Sequence, residues 1–124
     1  MQKLFYIGLA GALGTLARYG LSGWVQRLGD FSYPWGTTAV NLLGCFLFGL
    51  VWTWAEARLW FTGEMRAVVL VGFMGGFTTF SSFAFETGML LKDSQWLMAC
   101  ANLVLQNLVG LVALALGWAA GKAI

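Results

Sequence analysis

The chain has 124 residues, 60% hydrophobic and only 10% charged, and it contains no histidine. A water-soluble domain carries about a quarter charged residues, so the composition points to a chain solvated by lipid. The missing histidines and scattered acids exclude a ligand cluster of transition-metal type, and a formal net charge of +2, thinly spread, gives no footing for a nucleic-acid partner.

Charges punctuate the sequence rather than mixing into it: none falls between Asp30 and Glu56, between Arg66 and Glu86, or between Asp93 and Lys122. Each gap reaches or approaches the roughly 20 residues that cross a hydrocarbon core of about 30 Å. The pattern predicts four transmembrane helices, over about 4–25, 35–54, 67–91 and 96–120, in a single transmembrane domain spanning 1–124. Short loops at Gly29-Asp30-Phe31-Ser32-Tyr33-Pro34, Thr62-Gly63-Glu64 and Lys92-Asp93-Ser94 carry the breakers. Most of the tryptophans, Trp24, Trp35, Trp52, Trp54, Trp60, Trp96 and Trp118, fall near predicted ends, where indole anchors at the membrane interface. Lys3 precedes the first apolar run, but no convincing A-x-A site follows and Arg18 interrupts it, so it reads as a span rather than a cleaved leader. Cys45 and Cys100 sit inside spans and read as small apolar residues.

The first helix places Gly8, Gly11 and Gly14 on one broad face, suited to close helix packing, with Thr15 and Arg18 further along. An arginine in a span is costly and is expected at a water-filled mouth or beside a carboxylate. In the second helix Thr37 and Asn41 are four apart and share a face, with Thr38 adjacent.

The third segment is the unusual one. Residues 72–86, GFMGGFTTFSSFAFE, carry glycines, the hydroxyls of Thr78, Thr79, Ser81 and Ser82, and the carboxylate of Glu86 inside an apolar stretch. Unpaired polar groups in hydrocarbon cost several kcal/mol, so such a stretch persists only against protein or a water-lined path. A break near Gly75-Gly76 is expected, freeing carbonyls including those of Gly75 and Thr78, which are hard ligands suited to Na⁺. Beyond it, Phe80 and Phe83 share a face, while Thr79, Ser82 and Glu86 form a neighbouring stripe. A phenyl ring is positive at its edge and negative on its face, so edge-on rings accept a small anion and face-on rings a cation. The fourth helix adds an amide face, Asn102 with Gln106, and Asn107 one step round; Gly72/Gly76 and Gly117/Gly121 are small-xxx-small pairs. One fixed cation, several amide and hydroxyl donors and two phenyl edges suit an anion that must shed tightly held water.

Four spans put Lys3, Arg58, Arg66 and Lys122 on one side and Arg27 and Lys92 on the other, joined by Arg18 if its side chain snorkels that way. Orientation follows the Lys/Arg difference, and this difference is small. A chain this short also encloses little interior of its own. Both features point to a homodimer of oppositely oriented subunits, an inverted repeat made from two copies.

The stretch Gly75-Gly76-Phe77-Thr78-Thr79-Phe80-Ser81-Ser82-Phe83 closely resembles the GGxTTFSTF signature of the Fluc (CrcB-type) fluoride channels. The likeness extends to Pro34-Trp35-Gly36-Thr37-Thr38-Ala39-Val40-Asn41-Leu42 and to Gly14 through Arg18, and covers the whole chain. The resemblance implies an all-α membrane protein, a dual-topology antiparallel homodimer with a broken third helix, in a bacterial plasma or inner membrane. It implies passive export of cytoplasmic fluoride, which enters as neutral HF and is trapped inside as the anion. Phe80 and Phe83 would meet the ion with their ring edges, with Asn41 beside them. Ser81, Ser82, Thr79 and Thr37 would form the polar track, Glu86 the carboxylate near its end and Arg18 the vestibule arginine. Gly75 and Thr78 would hold a structural, untransported Na⁺ through backbone carbonyls. Two departures stand out: Ser82 replaces a common Thr but keeps the hydroxyl, and Leu111 stands where relatives often have Ser, with Asn107 supplying a polar group nearby.

Two other classes compete. A small proton-coupled multidrug exporter has this size but depends on an acid in the first helix, which is absent here. A non-transporting assembly factor would need no continuous polar track. Nothing pairs a nucleophile with a base, so an enzyme is not expected.

Overall fold

The computed structural model describes residues 1–29 and 32–124; the Asp30-Phe31 part of the expected first loop lies outside the described residues. Helix α1 spans Gln2–Leu28 and α2 spans Trp35–Glu56. The third membrane-crossing stretch, Gly63–Lys92, divides into α3 (63–77) and α4 (Phe80–Lys92). Helix α5 runs Trp96–Ala123. Four stretches are thus long and apolar enough to cross a membrane, which makes this a multi-pass membrane protein.

The helix ends follow local chemistry. Gly29 stops α1 in an extended conformation, its N–H still bonded to Val25 O at 3.2 Å. Pro34, which lacks an N–H, precedes the first turn of α2, where no intrahelical donor is needed. Gln26 then ties α1 to that turn: its Nε2 donates to Tyr33 O at 2.9 Å and its Oε1 accepts from Gly36 N at 3.0 Å. Thr62 caps α3 by accepting from Met65 N, so Gly63 and Glu64, expected in a loop, join the helix instead. Ser94, with φ 58°, turns the chain between α4 and α5, and Gln95 N closes on Leu90 O.

Two stretches widen to i→i+5 bonding, Ala67–Met74 in α3 and Leu105–Val109 in α5. Such turns shift every following side chain around the helix and recur at functional sites.

Helix α1 packs on α3, and α2 on α5, through glycine against backbone. A methyl added at Gly14 would run into the carbonyl of Phe73, and one at Gly117 into that of Phe46. With little hydrophobic drive between helices in lipid, this close van der Waals contact is what holds them. Gly72 and Gly76 meet α1 in the same way and Gly121 meets α2, whereas Gly8 has nothing near it within the chain.

The interior is thin. It consists of small or single large groups such as Ala10, Val40, Leu70, Met74, Phe77, Phe83 and Ala99. Only 6% of the most apolar window of α1 is buried, so most of that helix faces lipid or another protein surface.

Candidate functional site

The break in the third span falls at Thr78-Thr79, not at Gly75-Gly76. Both glycines remain helical, and at Gly76 the space a side chain would need is occupied by the carbonyl of Gly11. The chain instead turns extended at Thr78 (φ −90°, ψ 159°) and Thr79 (φ −149°, ψ 112°) before α4 begins.

Two side chains replace the missing helical bonds. Asn41 on α2 accepts from Thr79 N through Oδ1 at 2.8 Å and donates to Thr79 O through Nδ2 at 3.0 Å. Thr79 Oγ1 accepts from Ser82 N at 3.2 Å, capping α4. In a continuous helix those two amides would bond Gly75 O and Thr78 O. Both carbonyls therefore lose their ladder donors to side chains. Gly76 O receives Arg18 Nε at 3.0 Å. Arg18 thus lies beside a backbone carbonyl at the end of α3, not beside a carboxylate as one of the sequence expectations had it.

A groove of about 390 Å³ opens at this break. Asn41, Thr78, Thr79, Phe80, Phe83, Gln106 and Asn107 line it, together with Gly44, Cys45, Phe48 and Leu114. Phe80 and Phe83 stand with ring centroids 5.6 Å apart at 57°. Phe80 is 76% exposed while Phe83 is 6% exposed, so one ring is anchored in the chain and its neighbour projects from it. Gly44 gives Thr78 its place: a Cβ there would strike the Thr78 methyl.

Other sequence-selected residues sit elsewhere. Ser82 and Ser81 lie beyond the groove lining, where Thr79 Oγ1 donates to Ser82 Oγ at 3.0 Å and stands 3.4 Å from Ser81 Oγ. Thr37 donates to Glu86 Oε1 at 2.6 Å, so Thr37 and Asn41, sharing a helix face, serve different partners. Glu86 Oε2 is buried and takes no hydrogen bond among the described residues. Glu86 lines a second cleft of about 530 Å³ with Gln26, Tyr33, Asp93 and Gln95 among others. Asn107 reaches the groove but donates back to Leu103 O at 2.8 Å in its own helix.

A buried polar chain behind the groove was only partly visible in the sequence. Asn41 Nδ2 donates to Gln106 Oε1 at 2.6 Å, and Gln106 Nε2 to Asn102 Oδ1 at 2.8 Å and Thr38 Oγ1 at 3.3 Å. Asn102 Nδ2 continues to Thr87 Oγ1 at 2.9 Å, which donates to Phe83 O at 2.7 Å. Tyr33 OH donates to Asn102 Oδ1 at 3.2 Å. The amide stripe of Asn102 and Gln106 was legible from its spacing. Thr87, a hydroxyl four residues after Phe83, could have been found in the same way; Tyr33 carried no signal.

Fold and site define a small multi-pass membrane protein whose third span is interrupted beside a polar, aromatic-lined groove. A profile of the family described as CrcB-like protein, Camphor Resistance (CrcB), matches residues 5–118. A protein of Nitrosococcus oceani named fluoride-specific ion channel FluC is 61% identical over 117 residues, covering 94% of each chain. Proteins of the same name from Solidesulfovibrio magneticus and Desulforapulum autotrophicum are 54% and 52% identical. The first match covers 100% of this chain and 99% of the relative; the second covers 99% and 98%. The chain belongs to the CrcB-like family.

Removing the Asn41 amide strands the N–H of Thr79, at about 1–3 kcal/mol for a buried group left unpaired, while Thr79 O keeps its place as the capping carbonyl of α4. Asn41→Leu is expected to destabilise the protein in detergent by that order and to speed hydrogen exchange at Thr79. Exchange across Ala10–Gly14 should stay unchanged. Protection at Thr79 equal to that of the parent would show that the amide does not hold the break.

Proposed function

We propose that the chain is a fluoride-selective channel that exports cytoplasmic fluoride passively, working as an antiparallel homodimer with a sodium ion at its centre. The observation that carries the reading is the Phe80–Phe83 pair lining a groove at a helix break stapled by Asn41. The name shared by relatives up to 61% identical supports the choice of ion.

Phe80 and Phe83 offer ring edges, which attract an anion without the strong binding that would hold it. The hydroxyls of Thr79, Ser81 and Ser82 continue a polar edge along the start of α4, and Thr37 with Glu86 marks its far end. Arg18 adds a fixed positive charge beside Gly76 O, near the end of α3. Asn107 lies on the opposite wall of the groove, where its amide can turn from Leu103 O to the ion.

A second copy would complete what one chain leaves open. The groove is unroofed, Phe80 is 76% exposed, and large apolar groups such as Leu9, Leu13 and Leu16 on α1 are exposed. The near-balanced Lys/Arg count between the two sides supports opposite orientations.

The residues present also fit a sodium ion. Gly75 O and Thr78 O have lost their helical donors to Asn41 and Thr79, and released carbonyls are the hard ligands an alkali cation takes. Two from each copy would supply four ligands; the bound ion would hold the two breaks together.

Three outcomes follow. Phe80→Ile, at an exposed position, is expected to cut fluoride efflux from proteoliposomes by at least about tenfold, and Phe83→Ile likewise; unchanged flux in both would remove the aromatic pair from the pathway. Replacing Na⁺ with N-methylglucamine on both sides is expected to stop the flux, and full activity after exhaustive removal would sink the sodium site. Cysteines placed singly in the α2–α3 loop, in a Cys45→Ala/Cys100→Ala background, should be labelled from both faces of sealed cells. Labelling from one face alone would rule out the dual topology.

A further inference from the structure

We infer that Gln106 is a positioning residue for the anion path: it fixes the orientation of the Asn41 amide and occupies its second hydrogen. The inference rests on the channel reading for its role in transport, but its geometry stands independently.

The direction of the buried polar chain is not arbitrary. It starts at Phe83 O, which can only accept, so Thr87 Oγ1 must donate to it. Thr87 then accepts, which turns the nitrogen of Asn102 toward it and the Asn102 oxygen toward Gln106. The Tyr33 hydroxyl, which can donate or accept, meets Asn102 Oδ1 as a donor in this arrangement. Thr38 gives its hydrogen to Pro34 O at 3.0 Å, so it too can accept from Gln106 Nε2. Both hydrogens of Gln106 are therefore committed away from the groove, and its Oε1 faces Asn41. The Asn41 oxygen is in turn left for Thr79 N, which can only donate. One consistent direction runs from the first turn of α4, through α5 and α2, back to the helix break. A flip of any amide would place two donors or two acceptors against each other.

The consequence for the groove is specific. Asn41 has two amide hydrogens, and both are used: one on Thr79 O at 3.0 Å, the other on Gln106 Oε1 at 2.6 Å. Asn41 reaches an anion only by sharing or releasing the hydrogen that Gln106 holds. Gln106 thus fixes the angle at which the Asn41 amide meets the groove, and its loss leaves that amide free to turn. The i→i+5 turn at Leu105–Val109 carries Gln106, while the ordinary helix before it carries Asn102.

The test uses the full-length protein in liposomes, with the near-isosteric, non-bonding Gln106→Met and, should that variant fail to assemble, Thr38→Val. Each is made alone and with Asn41→Ala. Fluoride efflux in Gln106→Met is expected to fall about tenfold, as for other groups that orient a site through a neighbour, and to fall no further when combined with Asn41→Ala. Flux equal to that of the parent overturns the inference. So does a loss that multiplies with that of Asn41→Ala, which would mark a general structural defect. A second readout does not depend on transport: the ¹⁵N-labelled Asn41 side-chain amide should show one strongly hydrogen-bonded, slowly exchanging proton that Gln106→Met abolishes. An unperturbed amide signal in the variant overturns the assignment. If parent protein moves no fluoride, the channel reading fails while the amide spectrum still decides whether Gln106 orients Asn41.

Discussion

Two hydrogen bonds between one asparagine side chain and the backbone of Thr79 let this chain break a helix in the middle of a membrane. In lipid an interrupted helix exposes amides and carbonyls that have no water to turn to. Asn41 supplies a donor and an acceptor in the spacing of a peptide group and so stands in for the missing strand of backbone. Because it takes the N–H of Thr79, the Gly75 carbonyl is released; because Thr79 in turn caps Ser82, so is the Thr78 carbonyl. The groove, the projecting Phe80 ring and the free carbonyls all descend from that substitution of side chain for backbone.

The helices around the break must be held close and in fixed register for a single amide to reach across. Lipid tails offer no hydrophobic drive for this, and the chain uses glycine against carbonyl instead, at Gly14, Gly76 and Gly117. Of the paired glycines that look like breakers in the sequence, Gly76 is in fact packing surface against α1, and the helix continues through both and yields two residues later. A thin interior is the corollary. Much of the apolar surface stays uncovered by the chain itself, as expected where lipid is the solvent and a second copy is the proposed neighbour.

Four spans, a broken third helix and a polar stretch at 78–86 could be read from charge gaps and from residues that lipid disfavours. Those signals are one-dimensional: they mark where a polar group sits but not which group it meets. Thr37 and Asn41 share a face by spacing, yet one bonds Glu86 and the other Thr79. Asn102 and Gln106 were visible as an amide stripe, but the bond from Asn41 to Gln106 crosses from α2 to α5 and leaves no mark in the spacing. Arg18 was expected at a water-filled mouth or beside an acid, and its guanidinium bonds a carbonyl of the broken helix rather than a carboxylate. A sequence does not show in advance which carbonyl a break will set free.

The proposed path for fluoride runs past the break beside Phe80 and Phe83. Its most direct measurement is paired anion efflux from vesicles holding the unaltered protein in Na⁺-containing buffer, one set loaded with potassium fluoride and one with potassium chloride, after a potassium ionophore is added. Rapid fluoride release with chloride retained is expected. Retention of both anions by verified, folded protein, or equal release of both, would contradict it.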